Sequence, residues 1–104
     1  MDQKRAIKIV KSYLANLLMN NFDIKAAYIF GSYARGNVHQ HSDIDLAIVL
    51  NKLSNPFEME VRSMILRRTD ETMIEPHLFD QTDFTPSNPF AHEIMQTGIE
   101  LKID

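Results

Sequence analysis

Two short apolar runs set the limits on what this chain can fold into. Residues 24–30 read IKAAYIF, a nearly continuous apolar stretch. It suits a strand covered on both faces, since a half-exposed strand alternates with polar positions. Residues 43–50 read DIDLAIVL, polar at the start and then wholly apolar, and make a second strand. Helical periodicity precedes them. Ile7, Val10, Leu14, Leu17 and Leu18 recur at helical spacing, which predicts a helix over residues 3–20 that Asn20 and Asn21 end.

The second half continues the alternation. Ser54 or Asn55 as a cap, Pro56 at an early helical position and Glu58 in the first turn predict a helix over residues 56–68. Residues 73–79, MIEPHLF, make a third strand. Pro76 within it has no N–H for a ladder bond, so the strand belongs at an edge or a bulge. Residues 80–88 are a loop. A helix over residues 89–97 follows, capped by Ser87 or Asn88 and ended by Gly98. Residues 99–103 alternate apolar and polar, as a half-exposed strand does. The order is αβαβαβαβ, with no repeat, linker or low-complexity segment. One domain over residues 1–104 is the expectation.

Composition narrows the function. The 104 residues allow one modest core. The chain has no cysteine, which excludes disulfides, thiolate nucleophiles and cysteine zinc sites. The formal net charge of −3 argues against a domain devoted to gripping nucleic-acid backbone, so no direct nucleic-acid partner is expected. Lys4, Arg5, Lys8 and Lys11, and Arg62, Arg67 and Arg68, fall at helical spacing and read as solvated faces or protein contacts. No apolar run approaches the roughly 20 residues of a membrane span. The first residues carry charges but no long apolar core or cleavage site, so they read as helix rather than signal peptide, and a cytoplasmic location is expected.

Chemistry concentrates in residues 31–50, GSYARGNVHQHSDIDLAIVL. Asp43 and Asp45 stand two residues apart at the start of a strand, so their carboxylates point to one face and repel unless a cation sits between them. A magnesium-sized cation prefers oxygen ligands and is held by carboxylates together with substrate phosphates. Gly31-Ser32 ends the first strand and opens a short helical turn closed by Gly36-Asn37. Gly31 permits close approach, the Ser32 hydroxyl can donate to a phosphate oxygen, and Arg35 is a candidate phosphate clamp. The plainer reading of Gly31-Ser32 is a strand-to-helix turn with Ser32 as its cap, and that of Arg35 is a surface ion pair. Tyr33 and Ala34 are expected to pack.

A third carboxylate completes a site for two metal ions. Glu75 on the third strand is the candidate, able to hold the second ion and take a proton from an attacking hydroxyl. Asp80, at the end of that strand, is its rival. His77 shares a face with Glu75; it can order Glu75, contact substrate, or sit at the edge, which is the commonest fate. His39 and His41 read as loop histidines near the site entrance, since no third zinc ligand of suitable type accompanies them. Phe57, Phe79, Phe84 and Phe90 read as core or loop anchors.

These residues carry a resemblance. Gly31-Ser32 followed by Asp43-Ile44-Asp45 resembles the signature of the DNA polymerase β nucleotidyltransferase superfamily. GSYARG with SDIDLAIVL is similar to its minimal nucleotidyltransferases, chains of about this size, and the likeness extends through the whole element order. The resemblance implies an α/β fold (α+β in some schemes), a mixed β-sheet with helices packed mainly on one side. It implies that Gly31, Ser32 and the following backbone bind the triphosphate of ATP, and that Asp43 and Asp45 bind Mg2+. The third carboxylate stands on the next core strand in the family, which points to Glu75, although the family more often has Asp there.

Many such proteins act as antitoxins of a HEPN-domain partner. By resemblance, the reaction is transfer of AMP from ATP to a tyrosine hydroxyl of that HEPN toxin, a type VII antitoxin activity. The chain lacks the extra domains that close over the acceptor in larger relatives, so a partner would supply that wall. Two other readings stand beside it. One is a binding module that neutralises a HEPN partner by covering it. The other is a nucleotidyltransferase acting on a small molecule, with a homodimer building the acceptor pocket.

Overall fold

The computed structural model describes residues 2–36 and 43–103. The element order is α1 (Gln3–Met19), β1 (Ile24–Phe30), α2 (Ser32–Arg35), β2 (Ile44–Leu50), α3 (Pro56–Ile65), a 3₁₀ turn (Thr69–Glu71), β3 (Ile74–Asp80), α4 (Pro89–Thr97) and β4 (Ile99–Leu101). The strands form one sheet in the order β3-β2-β1-β4. β1 pairs antiparallel with both β2 and β4, and β2 pairs parallel with β3. This is the mixed sheet with flanking helices that the resemblance implies.

A parallel pair needs a long crossover, and α3 supplies it between β2 and β3. Alternation along the central strands then feeds two apolar clusters. Ala27, Ile29, Ile44, Leu46, Ile48 and Leu50 face the larger one, with Ala6, Val10, Tyr13, Leu14 and Leu17 of α1. Met59 and Leu66 pack on the same cluster from α3 and its cap. Ala47 and Val49 face the smaller one, with Phe84 and with Ala91 and Ile94 of α4. β2 is thus buried on both faces, which explains its uninterrupted apolar run. β1 buries Ile24, Ala27 and Ile29 in the larger cluster and only half-buries Ala26, Tyr28 and Phe30 on the α4 side.

The helix ends follow local chemistry. Asp2 caps α1, its carboxylate accepting from the Arg5 N–H at 2.8 Å. Asn88, rather than Ser87, caps α4 by accepting from the N–H groups of Phe90 and Ala91. Asn55 stands at the start of α3 in a left-handed conformation and makes no side-chain capping bond. There Pro56 at the helix start and Glu58 in the first turn carry the signal. α3 stops at Ile65, short of the expected residue 68, because the chain turns into the 3₁₀ turn.

β3 lies at the sheet edge, as Pro76 requires. The Ile44 N–H donates to Met73 O at 2.9 Å, so odd-numbered residues of β3 turn their backbone groups to β2 and Pro76 faces the open edge. Arg67 covers that edge, donating to the carbonyls of Thr72 and Ile74 at 2.9 Å each. Arg62 donates to Asn20 O at 2.9 Å, with its guanidinium 5.0 Å from the centre of the Phe22 ring. These arginines, read from sequence as solvated or protein-contacting, tie α3 and its exit to the body of the protein.

Phe57 is not the anchor that its aromatic ring suggests. It is 81% exposed at the start of α3, on an outward stripe with Val61, Met64 and Ile65. Gly98 shows the opposite situation: a Cβ there would lie 2.5 Å from Ile94 O and 3.0 Å from Ile29 O. Both atoms are backbone and cannot move aside cheaply. Gly98→Ala is expected to lower folding stability by about 1–3 kcal/mol in urea unfolding. Phe57→Ser is expected to leave it within about 0.5 kcal/mol of the parent.

Candidate active site

Residues directly across a sheet share a face, so register builds the site row by row. Asp45 on β2 faces Phe30 on β1 and Glu75 on β3. The next residues on that face are Tyr28, Ala47 and His77, and then Ala26, Val49 and Phe79. The lower rows belong to the α4 cluster. The carboxylate row stands at its rim, where β1 ends and β2 begins.

Asp43 precedes β2 by one residue, since the strand starts at Ile44. Asp43 and Glu75 are exposed and Asp45 is half-buried. The Glu75 carboxyl shares a hydrogen bond with Asp43, and this raises its pKa above the ordinary glutamate value. Partial desolvation and the charges of Asp43 and Asp45 push the same way, against a smaller opposing effect of His77. Both aspartates thus act on Glu75, Asp43 through a hydrogen bond and charge and Asp45 through charge.

Asp80 does not reach this cluster. It pairs in register with Leu50, at the far end of the same two strands, about 16 Å along from Asp45 at the usual rise per residue. Its carboxylate accepts from Leu53 N at 2.8 Å, Thr82 N at 3.0 Å and Thr82 Oγ1 at 2.6 Å. Those bonds hold its pKa down to about 2. Its work is to fix the loops after β2 and β3.

Gly31 is required twice over. It links β1 to α2 with φ 75°, a left-handed conformation that L side chains avoid. A Cβ on it would lie 2.6 Å from Asp45 Oδ2. Ser32 opens α2 and is half-buried, and Tyr33 behind it is buried in the larger core. Arg35 is exposed and lines a cleft of about 220 Å³ with Phe30, Gly31, Phe90 and Glu93. The turn thus brings Gly31 onto the carboxylates and Arg35 to a neighbouring cleft. His39 and His41 lie outside the described residues, as does Asn37.

His77 is the residue that sequence reading undervalued. Its Nε2 lies 3.3 Å from Asp45 Oδ1. The ring of Phe30 stands edge-on to it at 5.2 Å. Phe30 also meets Phe90, which with Phe79 and Phe84 completes an aromatic floor. Only Phe84 of that group is buried as a core residue. Period-two alternation from Glu75 marks His77 as a neighbour of the site; its partner could be named only with the register.

Donor atoms of Asp45, Glu75 and His77 all lie within 4.8 Å of one another, so these side chains can converge on a metal ion. Asp43 adds a further carboxylate against Glu75. Hard oxygen donors at the rim of an apolar sheet suit a divalent cation together with phosphate.

Two variants test this geometry. Gly31→Ala is expected to lose about 1–2 kcal/mol of stability from the backbone alone, and more if Asp45 cannot move away. Equilibrium unfolding measures it. Glu75 gives a pH signature. A carboxyl whose folded pKa is raised stabilises the fold while protonated, and that contribution is lost as pH rises through the folded value. Glu75→Gln is thus expected to unfold at higher urea than the parent at about pH 8, the two converging near about pH 3 where both are neutral. A constant difference across that range would contradict the assignment of the shift to neighbouring carboxylates.

Comparison with known proteins places the chain in a family. Residues 12–103 match the family model described as "Polymerase beta, Nucleotidyltransferase". A Methanocaldococcus jannaschii protein named "putative protein adenylyltransferase" is 27% identical over 104 residues, which is 97% of this chain and 100% of that one. A crystal structure of a "putative nucleotidyltransferase" from Sulfolobus solfataricus superposes with a TM-score of 0.69, covering 94% of this chain and 80% of that one at 22% identity. That likeness concerns the fold: the same mixed sheet and helices. The chain belongs to the polymerase β nucleotidyltransferase family.

Proposed function

We propose that this protein is a magnesium-dependent adenylyltransferase that moves AMP from ATP to a tyrosine hydroxyl of a HEPN-domain toxin, acting as its antitoxin. The observation that carries the reading is the register that sets Asp45 beside Glu75, with Asp43 against Glu75. The family supplies the reaction class, and the name of the M. jannaschii relative suggests a protein as acceptor. A cytoplasmic setting, where ATP and free magnesium are present, is part of the proposal.

The donor set fits the metal. Asp43, Asp45 and Glu75 offer hard carboxylate oxygens on one face, and their mutual repulsion is what a cation relieves. In this reading those three carboxylates hold two magnesium ions. When bound, the ions supply charge neutralisation for the triphosphate and for the developing oxyanions. The protein's own groups do the rest. Ser32 and the backbone after Gly31 hold the triphosphate, with Arg35 as a cation at the side of the site. The tyrosine oxygen attacks the α-phosphorus in line, its bond to pyrophosphate breaks and pyrophosphate leaves. Glu75, at the exposed side of the cluster, is the group placed to receive the tyrosine proton. Positioning and electrostatics carry most of the rate.

The exposure of Asp43 and Glu75 supports an acceptor that arrives from outside the chain. The test incubates the protein with labelled ATP, magnesium and the HEPN protein encoded beside it. The expected result is one or more AMP groups on a tyrosine of the partner. Asp43→Ala and Asp45→Ala are each expected to cut the rate by at least about 10²-fold. Tight complex formation with no mass gain under any nucleotide would replace this reading with a non-catalytic binding module.

A further inference from the structure

Magnesium sites built by proteins are oxygen sites, and this cluster contains a nitrogen. His77 stands opposite Ala47, one row along the same face from Asp45 and Glu75. The edge of Phe30 flanks the imidazole, and its Nε2 lies 3.3 Å from Asp45 Oδ1. His77 and Asp45 side chains keep 38% and 32% of their exposure, so both remain accessible to an ion from solvent.

The distances fit a shared ion after a small closure. Donors around one ion with bonds of about 2.1 Å lie no more than about 4.2 Å apart. The donors of Asp45, Glu75 and His77 lie within 4.8 Å of one another, and Glu75 is exposed, so a change of rotamer that gives up its hydrogen bond with Asp43 brings it inward. Asp45 and His77 already meet the limit.

We propose that His77 Nε2 is a direct metal ligand, making one cation position a mixed carboxylate–imidazole site that takes a first-row transition-metal dication, with Mn2+ as the probe, ahead of Mg2+. Imidazole is a borderline donor that binds first-row transition metals far better than it binds magnesium, whereas the oxygens of Asp45 and Glu75 accept either. The inference rests on the proposed reading of the carboxylates as cation-binding, and it specifies which cation the position prefers. The hydrogen bond of a purely positioning histidine to Asp45 would leave the oxygen donors, and hence the metal preference, unchanged.

Electron paramagnetic resonance on the full chain separates these cases. MnCl2 is titrated in with MgCl2 as competitor, with and without a non-hydrolysable ATP analogue, and the bound ion is examined for coupling to 14N and 31P nuclei. The expected result is 14N coupling in the parent that disappears in His77→Gln. The preference for Mn2+ over Mg2+ should fall by about tenfold or more in that variant. Bound Mn2+ that depends on Asp45, shows 31P coupling with the analogue and lacks 14N coupling would overturn the inference and leave the nucleotidyltransferase reading standing. Mn2+ that binds with 14N coupling but never shows 31P coupling would support the inference and count against the nucleotide site. No Mn2+ binding, or binding unaffected by Asp45→Asn, would overturn both.

Discussion

The parallel register of β2 against β3 is the constraint on which the site depends. It runs unshifted from Ile44 against Ile74 to Leu50 against Asp80. β2 is held in place by burial on both faces, from Ile44 to Leu50. A slip of one residue would turn Asp45 into the larger core and Leu46 onto the polar rim. The buried apolar residues of β2 thus fix where Asp45 stands, and pairing fixes what stands beside it.

Electrostatic tension follows from that placement. Asp43, Asp45 and Glu75 gather at one end of the sheet, and the raised pKa of Glu75 reflects first its hydrogen bond with Asp43, then burial, then the charges of both aspartates. Such a cluster persists because the core below holds the strands and because its outer members remain hydrated. Gly31 adds a backbone that approaches the Asp45 carboxylate more closely than any side-chain-bearing residue allows. The result is a rim of negative charge with a backbone turn against it, arranged before any ligand arrives.

Much of this was legible in the chain. The apolar runs gave both central strands, Pro76 placed β3 at an edge, and the Asp43-Ile44-Asp45 run placed two carboxylates where β2 begins. What escaped depended on register or on tertiary space. Glu75 and Asp80 are both carboxylates of one strand, and only pairing with β2 puts Glu75 at the site and Asp80 at the opposite end. His77 looked like an edge residue until the row geometry brought it to Asp45. Phe57 looked like an anchor because an aromatic ring in an amphipathic helix carries no label for which face is covered. The roles of Arg62 and Arg67 in binding down α3 and the β3 edge were invisible for the same reason.

The account therefore stands on a contrast between Asp45 at one end of the paired strands and Asp80 at the other. Calorimetric titration of a non-hydrolysable ATP analogue in the presence of a divalent cation tests it most directly. Asp45→Asn is expected to remove metal-dependent binding, while Asp80→Asn retains the parent's affinity even though it loosens the loops that Asp80 fixes. Retained metal-dependent binding in Asp45→Asn, or its loss in a folded Asp80→Asn, would contradict the placement of the site at the Asp45–Glu75 end of the strands.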